Sequence, residues 1–276
     1  RSLMNIPHTF EVYQKQLDNI RKNNYYGRPQ VLRQFRMQFK EFSEYDISTI
    51  KSFLADTDKK WFVAHLLDNL DTFPVDLLKP MLIAAVNEPN PSFNNEFIKP
   101  CRRVFNYTDA QKILLDIFCN GNTARKKGAL KALYWVRPKV HTLTTREGKK
   151  IIEKKGYDNF FWDYESQKFN EYFEEDEEVY KTEYPKQEAA RKEQIKIILE
   201  EFYKTTVLEL KYQIALTLPQ KVNDYPKELQ TEAGIFIKEK DKQGLRGNMS
   251  EIKEQQNISS NGLQRIIFRL RGLFIK

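Results

Sequence analysis

Apolar residues recur along nearly the whole of this chain at the roughly 3.6-residue period of an α-helix, and that period commits the backbone to helices. Three apolar, leucine-closed stretches followed by proline repeat one helical unit: Trp61–Pro74 (WFVAHLLDNLDTFP), Arg125–Pro138 (RKKGALKALYWVRP) and Leu208–Pro219 (LELKYQIALTLP). A single helix of this kind cannot hide its apolar side, so repeated copies point to stacked helices that share one core. Only 10 Gly among 276 residues leaves too few tight-turn residues for a sheet-rich fold.

Phe10, Tyr13, Leu17 and Ile20 form one helical stripe, and Val31, Phe35, Phe39 and Phe42 a second. Asp46 reads as the N-cap ahead of Ile47, Ile50 and Leu54. Leu77–Val86 is apolar on nearly every side, which suits a central helix. Pro89, Pro91 and Pro100 read as punctuation of the stretch that follows. Thr108 with Gln111, and Thr206 with Glu209, have capping-box spacing. Gly121 within Asn120–Asn122 marks a helix C-cap and the tight turn of a helix pair.

Residues 139–185 lack the period and read as an insertion, partly helical, with Trp162 and an exposed acidic tip at Glu174–Glu178. Periodicity resumes at Ile195, Ile198, Leu199 and Phe202, and again at Leu229, Ala233, Phe236 and Ile237. A polar, mobile segment is expected over Lys238–Ser260. Leu263, Ile266, Ile267, Leu270 and Phe274 then oppose Arg265 and Arg269, the pattern of a closing helix that is apolar inside and basic outside. The expected organisation is a helical array over 1–237, with the insertion at about 139–185, and a polar segment with a capping helix over 238–276.

Laid over one another, the three units match Leu66, Leu67 and Leu70 with Ala129, Leu130 and Leu133, then with Ile214, Ala215 and Leu218. Gly128, Ala129 and Ala132 add a small-residue stripe that lets a neighbouring helix approach closely. On these residues the chain resembles the HEAT/armadillo-type α-solenoids over residues 28–237. The resemblance implies an all-α, HEAT-like helical-repeat solenoid with an insertion between repeats. Matches 63 and 85 residues apart imply further helix pairs between them. The rival architecture is an irregular helical bundle.

Little in the chain points to catalysis. His8, His65 and His141 are far apart, and no GxGxxG, Walker loop or GxSxG is present, so neither cofactor nor metal is expected. Cys101 and Cys119 read as buried, reduced thiols of a cytoplasmic protein. No apolar run approaches the roughly 20 residues that span a bilayer, and no basic-then-apolar leader opens the chain, so no membrane partner is expected. The net charge of +8 is compatible with an anionic partner.

If Ala129, Ala132, Leu133 and Val136 face inward, Lys127, Lys131 and Trp135 lie outward at i, i+4 and i+8. The matching stripe on the first unit holds Trp61, Ala64 and Asp68 with His65 nearby, and on the third Tyr212 and Leu216. These positions pass from acidic to basic to neutral, whereas a phosphate backbone asks for repeated Lys or Arg. Aromatic and mixed-charge surfaces suit a protein or peptide. The expectation is a non-enzymatic scaffold that binds its partner through Trp61, His65, Asp68, Lys127, Lys131, Trp135 and Tyr212. The alternative is a DNA-binding HEAT-like protein, with DNA glycosylases of the alkylation-repair type as the specific comparison. Trp61, Asp68, Trp135 and Arg137 supply residue types of that class, but His65 and Lys139 stand one turn after the tryptophans where a carboxylate is wanted. A third option is an interaction module of a longer protein.

Overall fold

The computed structural model describes residues 5–23, 29–105, 107–136, 142–144, 150–152 and 174–245. Their regular secondary structure is helical apart from one antiparallel ribbon, β1 (Thr142–Thr144) against β2 (Lys150–Ile152), with Leu143 opposite Ile151. The chain forms two compact units, Arg1–Arg191 and Lys192–Lys276.

The first unit is built from consecutive helix pairs: α1 (Ile6–Lys22) with α2 (Gln30–Gln38), α3 (Glu44–Ala55) with α4 (Lys60–Asp68), α5 (Leu78–Val86) with α6 (Asn94–Val104), and α7 (Tyr107–Asn120) with α8 (Thr123–Leu133). First members also pack in succession, α1 on α3, α3 on α5 and α5 on α7. Among second members, α4 packs on α6 and α6 on α8. Helix α5, the stretch expected to be central, touches α3, α6, α7 and α8, and Met81, Leu82 and Ala85 are fully buried. At the other end Phe10, Phe53 and Phe62 meet edge to face, joining α1, α3 and α4.

Helix starts follow local chemistry. Ser43, rather than Asp46, caps α3; Asp46 sits three residues on and closes a reciprocal capping box, its amide donating to Ser43 Oγ (3.2 Å) and its carboxylate accepting from the Ser43 amide (3.0 Å). Asn122 caps α8 by accepting from the Arg125 amide at 3.0 Å, so α7 and α8 are joined by Gly121 and Asn122 alone. Helix α7 already begins at Tyr107, ahead of the expected cap Thr108, and the Gln111 side-chain amide donates to Ala190 O at 3.1 Å.

Several expected helix ends move. Helix α2 stops at Gln38 and Phe39 turns extended, yet Phe35, Phe39 and Phe42 still cluster at 4.9 and 4.4 Å between centroids. Helix α4 stops at Asp68, and Pro74 heads a 3-10 turn, Val75–Leu77, that leads into α5. The largest revision is α6, which runs straight through Pro100. Proline cannot donate to the Glu96 carbonyl, but burial of Phe97, Ile98, Pro100 and Cys101 holds the helix together.

Helix α9 (Glu174–Lys204) begins at the acidic run, and Trp162 lies outside the described residues. The second unit contains the end of α9, α10 (Leu208–Thr217), two 3-10 turns (Val222–Asp224 and Lys227–Leu229) and α11 (Gln230–Lys242). Phe202 meets Phe236 edge-on at 4.9 Å in its core. No side chain caps α10; Thr205 Oγ1, rather than Thr206, accepts from the Val207 amide at 3.2 Å. Pro219 follows α10 directly after Leu218, as expected.

Helix α11 crosses the expected 237/238 boundary and ends at a Schellman motif. Gly244 has φ 67° there, the Gly244 and Leu245 amides reach Asp241 O and Lys240 O (3.0 Å each), and Leu245 is buried. The expected closing helix at Leu263–Phe274 lies outside the described residues.

Candidate functional site

The loop between α5 and α6 organises the most distinctive surface of the first unit. Glu88 is buried and accepts from Lys60 Nζ at 2.7 Å and from the Asn90 amide at 3.1 Å. The Lys60 ammonium lies over the rings of Trp61 and Phe97 at 5.5 and 5.7 Å. Trp61 packs on Phe93 and Phe97, with centroids 5.5 and 5.2 Å away. From the other side Lys131 Nζ donates to Pro89 O at 3.2 Å and Trp135 Nε1 to Pro91 O at 2.8 Å. Trp61, Lys131 and Trp135, picked from two separate units of the sequence, thus converge on one loop.

This convergence depends on how closely α8 meets the end of α5. A Cβ added at Gly128 would fall 2.0 Å from Val86 O, so no larger residue fits there without movement. The residues expected to face inward from α8 do so: Ala129, Ala132 and Leu133 are fully buried, and Val136 almost so. Lys127, Lys131 and Trp135 are half-buried along the opposite seam. Beyond it two aromatics stand out in solvent: Phe93 is 48% exposed and Tyr134 55%, the latter edge-on to Trp135 at 5.1 Å.

The face of α4 is not the bare stripe that its spacing suggests. Ala64 is buried, the Asp68 side chain is 7% exposed, and Lys99 approaches Asp68 at 3.4 Å. Arg103 donates to the carbonyls of Leu67 and Asp68 at 3.0 Å, meeting the negative end of α4. Helix α6 covers this face, and reading Pro100 as a break hides α6 from view. His65 pairs through Nδ1 with Tyr13 OH at 2.7 Å, and its Nε2 lies 3.9 Å from Glu96. Tyr212 is half-buried on α10 of the second unit, one turn before the exposed Leu216.

Phe93, Tyr134 and Glu88 are site residues that the spacing rules miss. Phe93, Phe97 and Cys101 do recur at i, i+4 and i+8, a signal legible only if a proline is allowed inside the helix. Burial pushes the Cys101 thiol well above its ordinary range, so it behaves as a core hydrophobe, whereas Cys119, expected to be buried too, is exposed near the end of α7. Among the described residues no group of three or more His, Cys, Asp or Glu is placed to hold a metal. Comparison with models of protein families, with curated proteins and with solved structures gives no match. Chemically, the edge offers fixed aromatic faces beside lysines on a loop anchored at four points.

Proposed function

We propose that this chain is a non-enzymatic, HEAT-like helical-repeat scaffold that holds a protein or peptide partner along its second-helix surfaces. The pairwise and row-wise packing of α1 to α8 supports the repeat architecture. It also accounts for the 63-residue spacing between the first two matches, which spans two helix pairs, α4 to α6 and α6 to α8. The observation that carries the binding role is the edge where Trp61, Lys131 and Trp135 brace one loop and leave Phe93 and Tyr134 exposed. An aromatic surface already fixed by its own hydrogen bonds loses little freedom on binding, and aromatics dominate interface energetics. Among the described residues no helix is long and apolar enough to cross a membrane, and the scaffold would work in the cytoplasm.

Site-specific photo-crosslinking tests this reading. A benzoyl-phenylalanine at Phe93 or Tyr134 should give a defined protein adduct in the source cell. The same probe at Tyr45, 66% exposed on α3 of the other row, should not. Adducts of equal yield from Tyr45, or none from Phe93 and Tyr134, would remove the second-helix surface as the binding face. A nucleic-acid adduct would favour the DNA-binding alternative.

A further inference from the structure

Charge divides between the two rows of helices in the first unit. Among second members, α8 carries Arg125, Lys126, Lys127 and Lys131 with no acid; α6 carries Lys99, Arg102 and Arg103 against Glu96. Helix α2 adds Arg33 and Arg36 with no acid, and α4 adds Lys60 against Asp68. Those four helices hold ten basic residues against two acidic, whereas α1, α3, α5 and α7 hold six against six. The imbalance therefore sits on the row that presents the aromatic edge, and it sets the sign of the partner as negative.

Where that charge is available narrows the partner further. Arg36 Nη2 donates to both carboxylate oxygens of Asp71 (2.8 and 2.9 Å), Lys99 is taken up by Asp68, and Arg103 by the last carbonyls of α4. Lys60 is buried with Glu88. A phosphate backbone would want outward cations from helix after helix; here they concentrate on α8. Arg125 is exposed, and Lys127 lines the groove between the start of α8 and the end of α5. Lys127 and Tyr134 lie two turns apart on one face of α8, about 10 Å at ~1.5 Å per residue, a span that about three residues of extended peptide would cover. Arg125 lines the same groove as Lys127 from its other side.

We infer that the α8 seam binds a short acidic peptide segment, its carboxylates on Arg125 and Lys127 and an apolar side chain against Tyr134 and Phe93. This assignment rests on the scaffold reading and specifies the chemistry of its partner. The test uses the full chain and a fluorescein-labelled peptide of four glutamates followed by Leu-Phe, read by fluorescence anisotropy. One comparison peptide has lysines for glutamates, and a 12-residue oligothymidylate serves as the nucleic-acid probe. Arg125→Glu with Lys127→Glu should weaken the acidic peptide about tenfold or more, and Phe93→Ala about threefold to tenfold.

Lys51→Glu with Lys112→Glu makes the same change in net charge at exposed positions of the first-helix row. It should weaken binding less than about twofold at moderate salt. Equal losses from the two double variants would reduce the effect to net charge and overturn the proposal. So would binding of the lysine peptide as tight as that of the acidic one, absence of saturable binding, or tighter binding of oligothymidylate lost on changing α8. If the peptide fails while Phe93 still crosslinks a protein, the acidic assignment falls and the scaffold reading stands.

Discussion

Replacing Gly128 by alanine tests how tightly α8 is pressed onto the end of α5. The new Cβ would lie 2.0 Å from Val86 O and 2.9 Å from both Val86 C and Val86 Cγ1. Two of those atoms are backbone, so relief requires the helices to part by about an ångström or more, against an ordinary interaxial distance of ~8–10 Å. Overpacking of this kind costs about 1–3 kcal/mol, and a backbone opponent places it at the upper end. Alanine's better helix propensity returns about 1 kcal/mol. The net loss is about 2 kcal/mol, or roughly 4–8 °C in Tm for a unit of this size.

Gly234 supplies the matched control. It lies inside α11, and nothing stands within 4 Å of its added Cβ. Gly234→Ala should therefore stabilise the second unit by about 0.4–1 kcal/mol. Urea unfolding followed by circular dichroism reads both variants against the parent. A Gly128→Ala protein as stable as the parent, or two variants moving in the same direction, would refute the close approach of α8 to α5.

Three further outcomes follow from single interactions. Glu88→Ala strands the Lys60 ammonium in a buried site and should cost about 3–5 kcal/mol, most of it recovered in the Lys60→Met/Glu88→Leu double variant; a urea midpoint within error of the parent for the single change would contradict the buried pair. Trp135→Phe keeps a ring but loses the N–H held by Pro91 O, so stability should fall by about 0.5–1.5 kcal/mol, and amide exchange in the α5–α6 loop should quicken, as hydrogen-exchange mass spectrometry would read. The amides of Asp58 and Lys59 hold the Asp56 carboxyl below its ordinary 3.8. A depressed folded value means the unfolded chain takes up the proton first, so this contribution is complete above that value and fades as pH falls below it. The Tm gap between the parent and Asp56→Ala should hold steady from neutral pH down to mild acid and narrow as pH falls below 3.8.

Much of the local structure is legible because its causes are local. The apolar stripes of α1, α5 and α8 are written at helical spacing, and the inward set Ala129, Ala132, Leu133 and Val136 is buried as the period requires. Trp61, Lys131 and Trp135 can be chosen as candidates for the same reason. What lies across from them is not written beside them. Phe93 and Tyr134 become the exposed tips of the edge only because Trp135 reaches Pro91, some forty residues earlier in the chain.

The sequence by itself determined that the chain is helical, where most of its apolar faces lie, and which turn joins α7 to α8. Hydrophobic period and capping act over a few residues and are readable within them. Tertiary structure alone decided that α6 forms through Pro100, because burial of Phe97, Ile98 and Cys101 outweighs one missing hydrogen bond. That one helix covers the supposedly open face of α4. It also joins α4 to α8 in one row, so what the bases and aromatics of this protein face is set by contacts between residues far apart in the chain.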